Sequence, residues 1–185
     1  DMPFGAYEGS PQQAFESASR IMAETGCAAV KLEGGEAMAE TIRFLSQRGI
    51  PVMAHIGLTP QAVNALGGYG ARGRSQEEHA KIISDGKAVQ EAGAFAVVVE
   101  GVVEPIAVSL TQSLEIPVIG IGASAHCDGQ VLVVDDMLGM FERVPRFVKK
   151  YGNLAEEITD KVQQYASEVR ARSFPTEDQT YQPKS

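Results

Sequence analysis

The chain has no tryptophan, only two cysteines and three histidines, and no excess of positive charge. Each shortage removes a class of function. Cys27 sits in an apolar run and Cys127 beside His126, too few and too far apart for a disulfide framework or a recurrent zinc pattern, and they suit a reducing cytoplasm. Sixteen Lys and Arg stand against 24 Asp and Glu, a net charge of −8. That balance argues against nucleic acid or an anionic membrane as a partner, since either demands clustered cations. No stretch approaches the roughly 20 consecutive apolar residues of a membrane helix. What is present is 44% apolar and 22% charged, the composition of a globular domain, and 185 residues are enough to bury roughly 70% of the unfolded surface in one core.

The chain opens on Asp1-Met-Pro-Phe with no initiator methionine, basic leader or apolar targeting segment, a beginning that looks cut. From 173 to 185 apolar residues nearly vanish, so a single domain is expected over 1–172, followed by a polar tail.

Between these ends runs a rhythm. Segments starting at Glu24, Gln47, Glu91 and Ser113 each end a helix-like stretch at a turn and pass into a short apolar run; Gly26, Gly49 and Gly93 supply the left-handed position in the first three. Continuous apolar runs point to parallel strands covered on both faces. Helical spacing fills the gaps: from Ser10 as cap and Pro11 in the first turn, then over 36–48, 76–92 (where Gly86 weakens the helix by about 1 kcal/mol) and 103–114. A further helical stretch is expected from Pro145 to Arg172. The alternation predicts an α/β fold with parallel strands, a closed barrel or an open doubly wound sheet. Five or six strands are expected: a stub at Asp1, then runs near Cys27, Ile50, Ala94, Ile116 and Gln130.

Polar residues stand where the strands should end: Lys31 and Glu33, His55, and Glu100, with Asp1 before them. Any one could mark a return to solvent. Together they offer carboxylates, an amine and an imidazole, a set suited to a hard cation and an anionic oxygen substrate. Gly120 to Ser124 is either a phosphate-cradling loop or a tight turn, and the glycine-rich Gly67 to Arg74 segment a surface loop or a lid. His79, among charged neighbours, reads as solvated, and His126 with Cys127 as a weak metal pair.

At these residues the chain resembles the ketopantoate hydroxymethyltransferase family. Asp1-Met-Pro-Phe, Val30-Lys-Leu-Glu-Gly-Gly-Glu, His55-Ile-Gly-Leu-Thr-Pro-Gln, Gly67-Gly-Tyr, Val99-Glu-Gly-Val, Ile116 to Ala123 and Asp128-Gly-Gln occur in family order over nearly the whole chain. The resemblance implies a (β/α)8 TIM barrel, present here from roughly its third to its eighth strand, with the first strands lying before Asp1. It implies transfer of a hydroxymethyl group from 5,10-methylenetetrahydrofolate to 3-methyl-2-oxobutanoate, giving 2-dehydropantoate (ketopantoate) in pantothenate biosynthesis through an enolate stabilised by Mg2+ or a similar divalent cation. Carried over by motif position, Asp1 and Glu33 are metal ligands, Asp1, Lys31 and His55 contact the keto acid, and Glu100 is the catalytic base. An upstream Gly-Asp-Ser segment of the family, supplying a further metal ligand and a keto acid contact, has no counterpart in this chain. Small molecules are the implied partners, together with further copies of the chain in a ring or double ring, a decamer among the forms.

Two other readings compete. A Mg2+-dependent 2-oxo acid lyase or mutase of the phosphoenolpyruvate mutase and isocitrate lyase type generally carries a Lys-Cys-Gly loop, which this sequence lacks. A non-catalytic barrel remnant would bind metal or organise an assembly.

Overall fold

Ser10 and Pro11 start the first helix as their chemistry predicts, the Ser10 hydroxyl accepting from the Gln13 amide at 3.1 Å. In the computed structural model, which describes residues 1–183, the element order is α1 (Pro11–Thr25), β1 (Val30–Glu33), α2 (Ala39–Ser46), β2 (Val52–Gly57), α3 (Val63–Leu66), α4 (Gln76–Glu91), β3 (Ala96–Glu100), α5 (Glu104–Ser113), β4 (Val118–Ile121), β5 (Gly129–Gln130), α6 (Val134–Met137) and α7 (Leu154–Arg170). Residues 184 and 185 of the expected polar tail lie outside the described residues; within it a 3-10 turn forms at Glu177–Gln179, closed by a capping box from Thr176. The chain divides into two compact units, Asp1–Val131 and Leu132–Ser185, and the single domain expected over 1–172 spans both.

In the first unit all five strands are parallel and lie in sequence order, β1-β2-β3-β4-β5. A doubly wound sheet reverses its order at a switch point, whereas a barrel adds each strand beside the last. The fold is therefore α/β with the strand order of a (β/α)8 barrel, five consecutive strands of it. Helix ends follow the sequence: Gly26 closes α1 at φ 70°, and Gly49 and Gly93 adopt φ of 81° and 97° before β2 and β3.

One expected strand is missing. Residues 1–9 form turns; Met2 donates to the Lys31 carbonyl at 2.8 Å, but this single backbone bond does not make a ladder. Among the described residues the count is five, the lower of the two numbers expected.

One sheet face buries Leu32, Val52, Ala54, Ile56, Val97, Val99 and Val118, each essentially inaccessible, against Ala14 and Ala18 of α1, Ile42 and Leu45 of α2, Ile82 and Val89 of α4 and Leu110 of α5. Burial of each large aliphatic side chain stabilises by roughly 1.5–3 kcal/mol. Gly86, costly inside a helix, sits where a β-carbon would come within 2.5 Å of Leu110 Cδ1; its absence lets α4 and α5 approach closely. The opposite face carries Lys31, Glu33, His55 and Glu100.

In the second unit α7 begins at Leu154, not near Pro145 as its apolar spacing suggests. The preceding residues are tied into turns instead: Tyr151 donates to the Met137 carbonyl at 2.6 Å, and Lys150 Nζ to the carbonyls of Phe141 and Glu142. α7 leaves Ile158, Val162, Tyr165 and Val169 exposed at helical spacing.

Candidate active site

Register brings the strand-end residues together. Lys31 and Glu33 point to the same face of β1 because side chains alternate, and Glu33 pairs in register with His55 on β2. His55 pairs with Val98 on β3, so Glu100, two residues further, shares that face. Four side chains that are 69 positions apart at the extremes (31 to 100) thus occupy one patch.

The contacts form a chain. Asp1 Oδ1 lies 2.7 Å from Lys31 Nζ, which lies 3.1 Å from His55 Nδ1. His55 Nε2 lies 3.2 Å from Glu100 Oε2, and Glu33 Oε1 lies 4.0 Å from His55 Nδ1. Lys31 as an ammonium can only donate, so Nδ1 accepts and a neutral ring carries its proton on Nε2, facing Glu100. That buried Nε2 is close to Glu100 but not aligned for a hydrogen bond. His55 and Glu33 are nearly inaccessible, whereas the Asp1 side chain remains 62% exposed. Burial holds the Lys31 ammonium below its ordinary pKa, a shift that the negative charges of Glu33 and Glu100 partly oppose.

Two residues absent from the sequence-based set complete the geometry. Tyr7, fully buried, donates to Gln61 Oε1 at 2.8 Å and accepts from the Glu33 amide at 3.2 Å. Gln61 donates its own amide to Glu33 Oε2 and its carboxamide to the Met2 carbonyl, both at 2.9 Å. Burial, with the nearby charges of Glu8 and Glu33, pushes the Tyr7 phenol up to about 12 against the hydrogen bond from Glu33. A cavity of about 120 Å3 opens between Phe4, Tyr7, Glu33, Thr59 and Gln61. A larger groove of about 560 Å3 is lined by α4 residues alone, including His79, and contains none of this cluster. No signal of periodicity or strand ending marks Tyr7 or Gln61, because both act through partners 26 to 59 residues away.

The remaining candidates separate from the site. His79 is exposed, as expected, and so is His126, while Cys127 is buried with its sulfur 3.8 Å from Thr111 Oγ1. Among the described residues no three His, Cys, Asp or Glu side chains surround a common metal position. Asp1 and Glu33 nonetheless offer oxygen donors only, which fits a cation such as Mg2+ that keeps several waters and takes one or two carboxylates. Gly120 and Ile121 complete β4 and Gly122 and Ala123 bend away from it, the Ser124 hydroxyl accepting from the His126 amide and its carbonyl from Gln130. Arg72 is spent as a strut: its guanidinium donates to the Leu66 and Gly68 carbonyls, and its backbone bonds to Gly101 and Val103, just beyond Glu100.

A parallel barrel section with an ionisable cluster at the carboxyl ends of its strands belongs to the class of α/β-barrel proteins that place chemistry at that end. Within that class, the chain matches ketopantoate hydroxymethyltransferase over residues 1–177 and belongs to that family. It is 71% identical over 184 residues to the 3-methyl-2-oxobutanoate hydroxymethyltransferase of Novosphingobium aromaticivorans and 71% identical over 184 residues to that of Erythrobacter litoralis. All of this chain aligns in both cases, yet it spans 64% of each relative's length. Among solved structures it resembles a phosphonopyruvate hydrolase complexed with oxalate and Mg2+, at a TM-score of 0.49 and 14% identity over 97% of this chain and 63% of that one.

Proposed function

We propose that the protein transfers a hydroxymethyl group from 5,10-methylenetetrahydrofolate to 3-methyl-2-oxobutanoate, forming 2-dehydropantoate for pantothenate synthesis. The observation that carries the reading is the junction of Lys31, His55 and Glu100 through contacts of 3.1 and 3.2 Å, beside the Glu33 carboxylate, in a chain of this family.

Glu100 accepts the C3 proton of the keto acid as general base. Asp1 and Glu33 would hold Mg2+ or a similar ion, which would supply Lewis acidity at the 2-oxo group. Lys31 holds the keto acid's oxygens as a point charge. His55 contacts the substrate and lies between Lys31 and Glu100, so the amine and the base keep a common reference. The enolate carbon then bonds to the one-carbon unit, whose two bonds to folate nitrogens break; water supplies the new hydroxyl, and the nitrogens take up two protons, one from C3 and one from that water. The protein acts in the cytoplasm as a homo-oligomeric ring or double ring, and the exposed apolar stripe of α7 supports such an assembly.

The test is hydrogen exchange. Incubated with Mg2+ and 3-methyl-2-oxobutanoate in D2O without folate, the unmodified protein exchanges the C3 hydrogen, followed by proton NMR, while Glu100→Gln binds the keto acid but does not exchange it. Full exchange by Glu100→Gln removes the base assignment, and no exchange by the unmodified protein favours a non-catalytic remnant.

A further inference from the structure

We infer that Tyr7 and Gln61 are positioning residues that set the spacing between the Asp1 and Glu33 carboxylates and thereby the affinity of the pair for a divalent cation. The inference rests on the metal assignment of the proposed function and adds what holds the ligands in place.

Asp1 and Glu33 come from different parts of the chain, one in an irregular segment and one at the end of β1. Tyr7 and Gln61 contact Glu33 directly, and Gln61 reaches Asp1 through its neighbour Met2. On the Glu33 side, the Gln61 amide donates to the carboxylate at 2.9 Å, while Tyr7 Oη accepts from the Glu33 amide at 3.2 Å. On the Asp1 side, the Gln61 carboxamide nitrogen donates to the carbonyl of Met2, the neighbouring residue, at 2.9 Å. Gln61 thus bridges the two sides, and the Tyr7 hydroxyl, donating to Gln61 Oε1 at 2.8 Å, orients the carboxamide that makes the bridge.

This arrangement is directional at every atom. A carboxamide has one accepting and one donating end; Tyr7 takes the first and Met2 the second, so Gln61 cannot be flipped without losing both bonds. Tyr7 spends its single proton on Gln61 and can only accept from Glu33. The phenol is fully buried, and Gln61 follows Pro60 in a 3-10 turn, so neither end of the link is free to drift. Asp1 is tied to β1 by its ion pair with Lys31 and by the Met2 amide bond to the Lys31 carbonyl at 2.8 Å, and Gln61 adds a second anchor at the Met2 carbonyl that reaches the Glu33 carboxylate directly. Hydrogen-bonded supports of metal ligands typically carry ten- to a hundredfold in affinity, because a misplaced ligand must be reordered by the ion.

Mn2+ as the probe, titrated without substrate and read by the electron paramagnetic resonance of the free ion, tests this directly. Tyr7→Phe keeps the ring and loses the hydroxyl; Gln61→Met keeps chain length and the backbone bond to Glu33 and loses both side-chain bonds. Each is expected to weaken Mn2+ binding by about ten- to a hundredfold, and the double variant by clearly less than the product of the two, since both remove the Tyr7–Gln61 bond. A folded variant, checked by circular dichroism, that binds Mn2+ within about twofold of the unmodified protein overturns the inference, and so do losses that add in the double variant. Should Gln61→Met not fold, Tyr7→Phe alone decides. Failure of the unmodified protein to bind Mn2+ sinks the metal assignment, and the inference with it, a result distinct from tight binding that the variants leave unchanged.

Discussion

Alanine at Gly57 would place a methyl group where β2 ends against the residue that carries the general base. Gly57 has φ 88°, and a β-carbon there would lie 2.5 Å from the Glu100 carbonyl oxygen and 2.7 Å from Val102 Cγ2, where ordinary contacts begin near 3.4 Å. That carbonyl already accepts the Leu58 amide at 2.8 Å, so it cannot retreat without weakening a ladder bond. A left-handed L-residue costs roughly 1–2 kcal/mol, and forcing a methyl into packed backbone roughly 1–3 kcal/mol. The smaller entropy of the unfolded alanine chain returns only about 0.4–1 kcal/mol. The losses win, by about 3 kcal/mol. With a urea slope of about 2 kcal/mol per molar, the unfolding midpoint should fall by about 1.5 M. Gly26→Ala separates the two costs: its φ is 70° but nothing lies within 4 Å of the added carbon, so it should lose only about 1 kcal/mol. A Gly57→Ala midpoint equal to that of Gly26→Ala would refute the contact argument, and one at or above the unmodified protein would refute the whole account.

Alkaline titration should find one tyrosine ionising near pH 12, read by phenolate absorbance at 295 nm and absent in Tyr7→Phe. Because the folded value is raised from 10.0 to about 12, the neutral phenol's contribution to stability is complete below pH 10 and lost as pH rises through 12; Tyr7→Phe should therefore lose stability less steeply across that window. Asp85 accepts from the Glu36 amide at 2.8 Å and Lys81 at 2.9 Å, and Gly35 packs directly on it. Asp85→Ala leaves that amide unpaired in the turn after Glu33 and should cost about 1–3 kcal/mol in urea unfolding; no measurable loss would mean that water replaces the carboxylate.

Much of the scaffold could be read without coordinates because its causes are local. Ser10 caps α1 through a residue three positions on, Gly26, Gly49 and Gly93 take the left-handed angles their lack of a β-carbon permits, and apolar runs become strands. Lys31, Glu33, His55 and Glu100 were visible for the same reason, as charged or polar residues interrupting such runs. Local pattern misled where a non-local bond intervened: the Asp1 stub has one backbone bond to Lys31 in place of a ladder, and the stretch from Pro145 is held in turns by carbonyls of 137 to 142.

Only the tertiary structure decided that these residues meet. Parallel register sets Glu33 level with His55 and turns Glu100 to the same face, and a shift of one residue would send Glu100 into the helix-covered side. Tyr7, Gln61 and Arg72 gain their contacts from partners brought close by folding, so neither periodicity nor a strand ending marks those contacts, although Gln61 closes a family motif and Arg72 lies in the glycine-rich segment. Residue types and their spacing specify which groups are available at each strand end; the pairing of strands determines which of those groups share one patch.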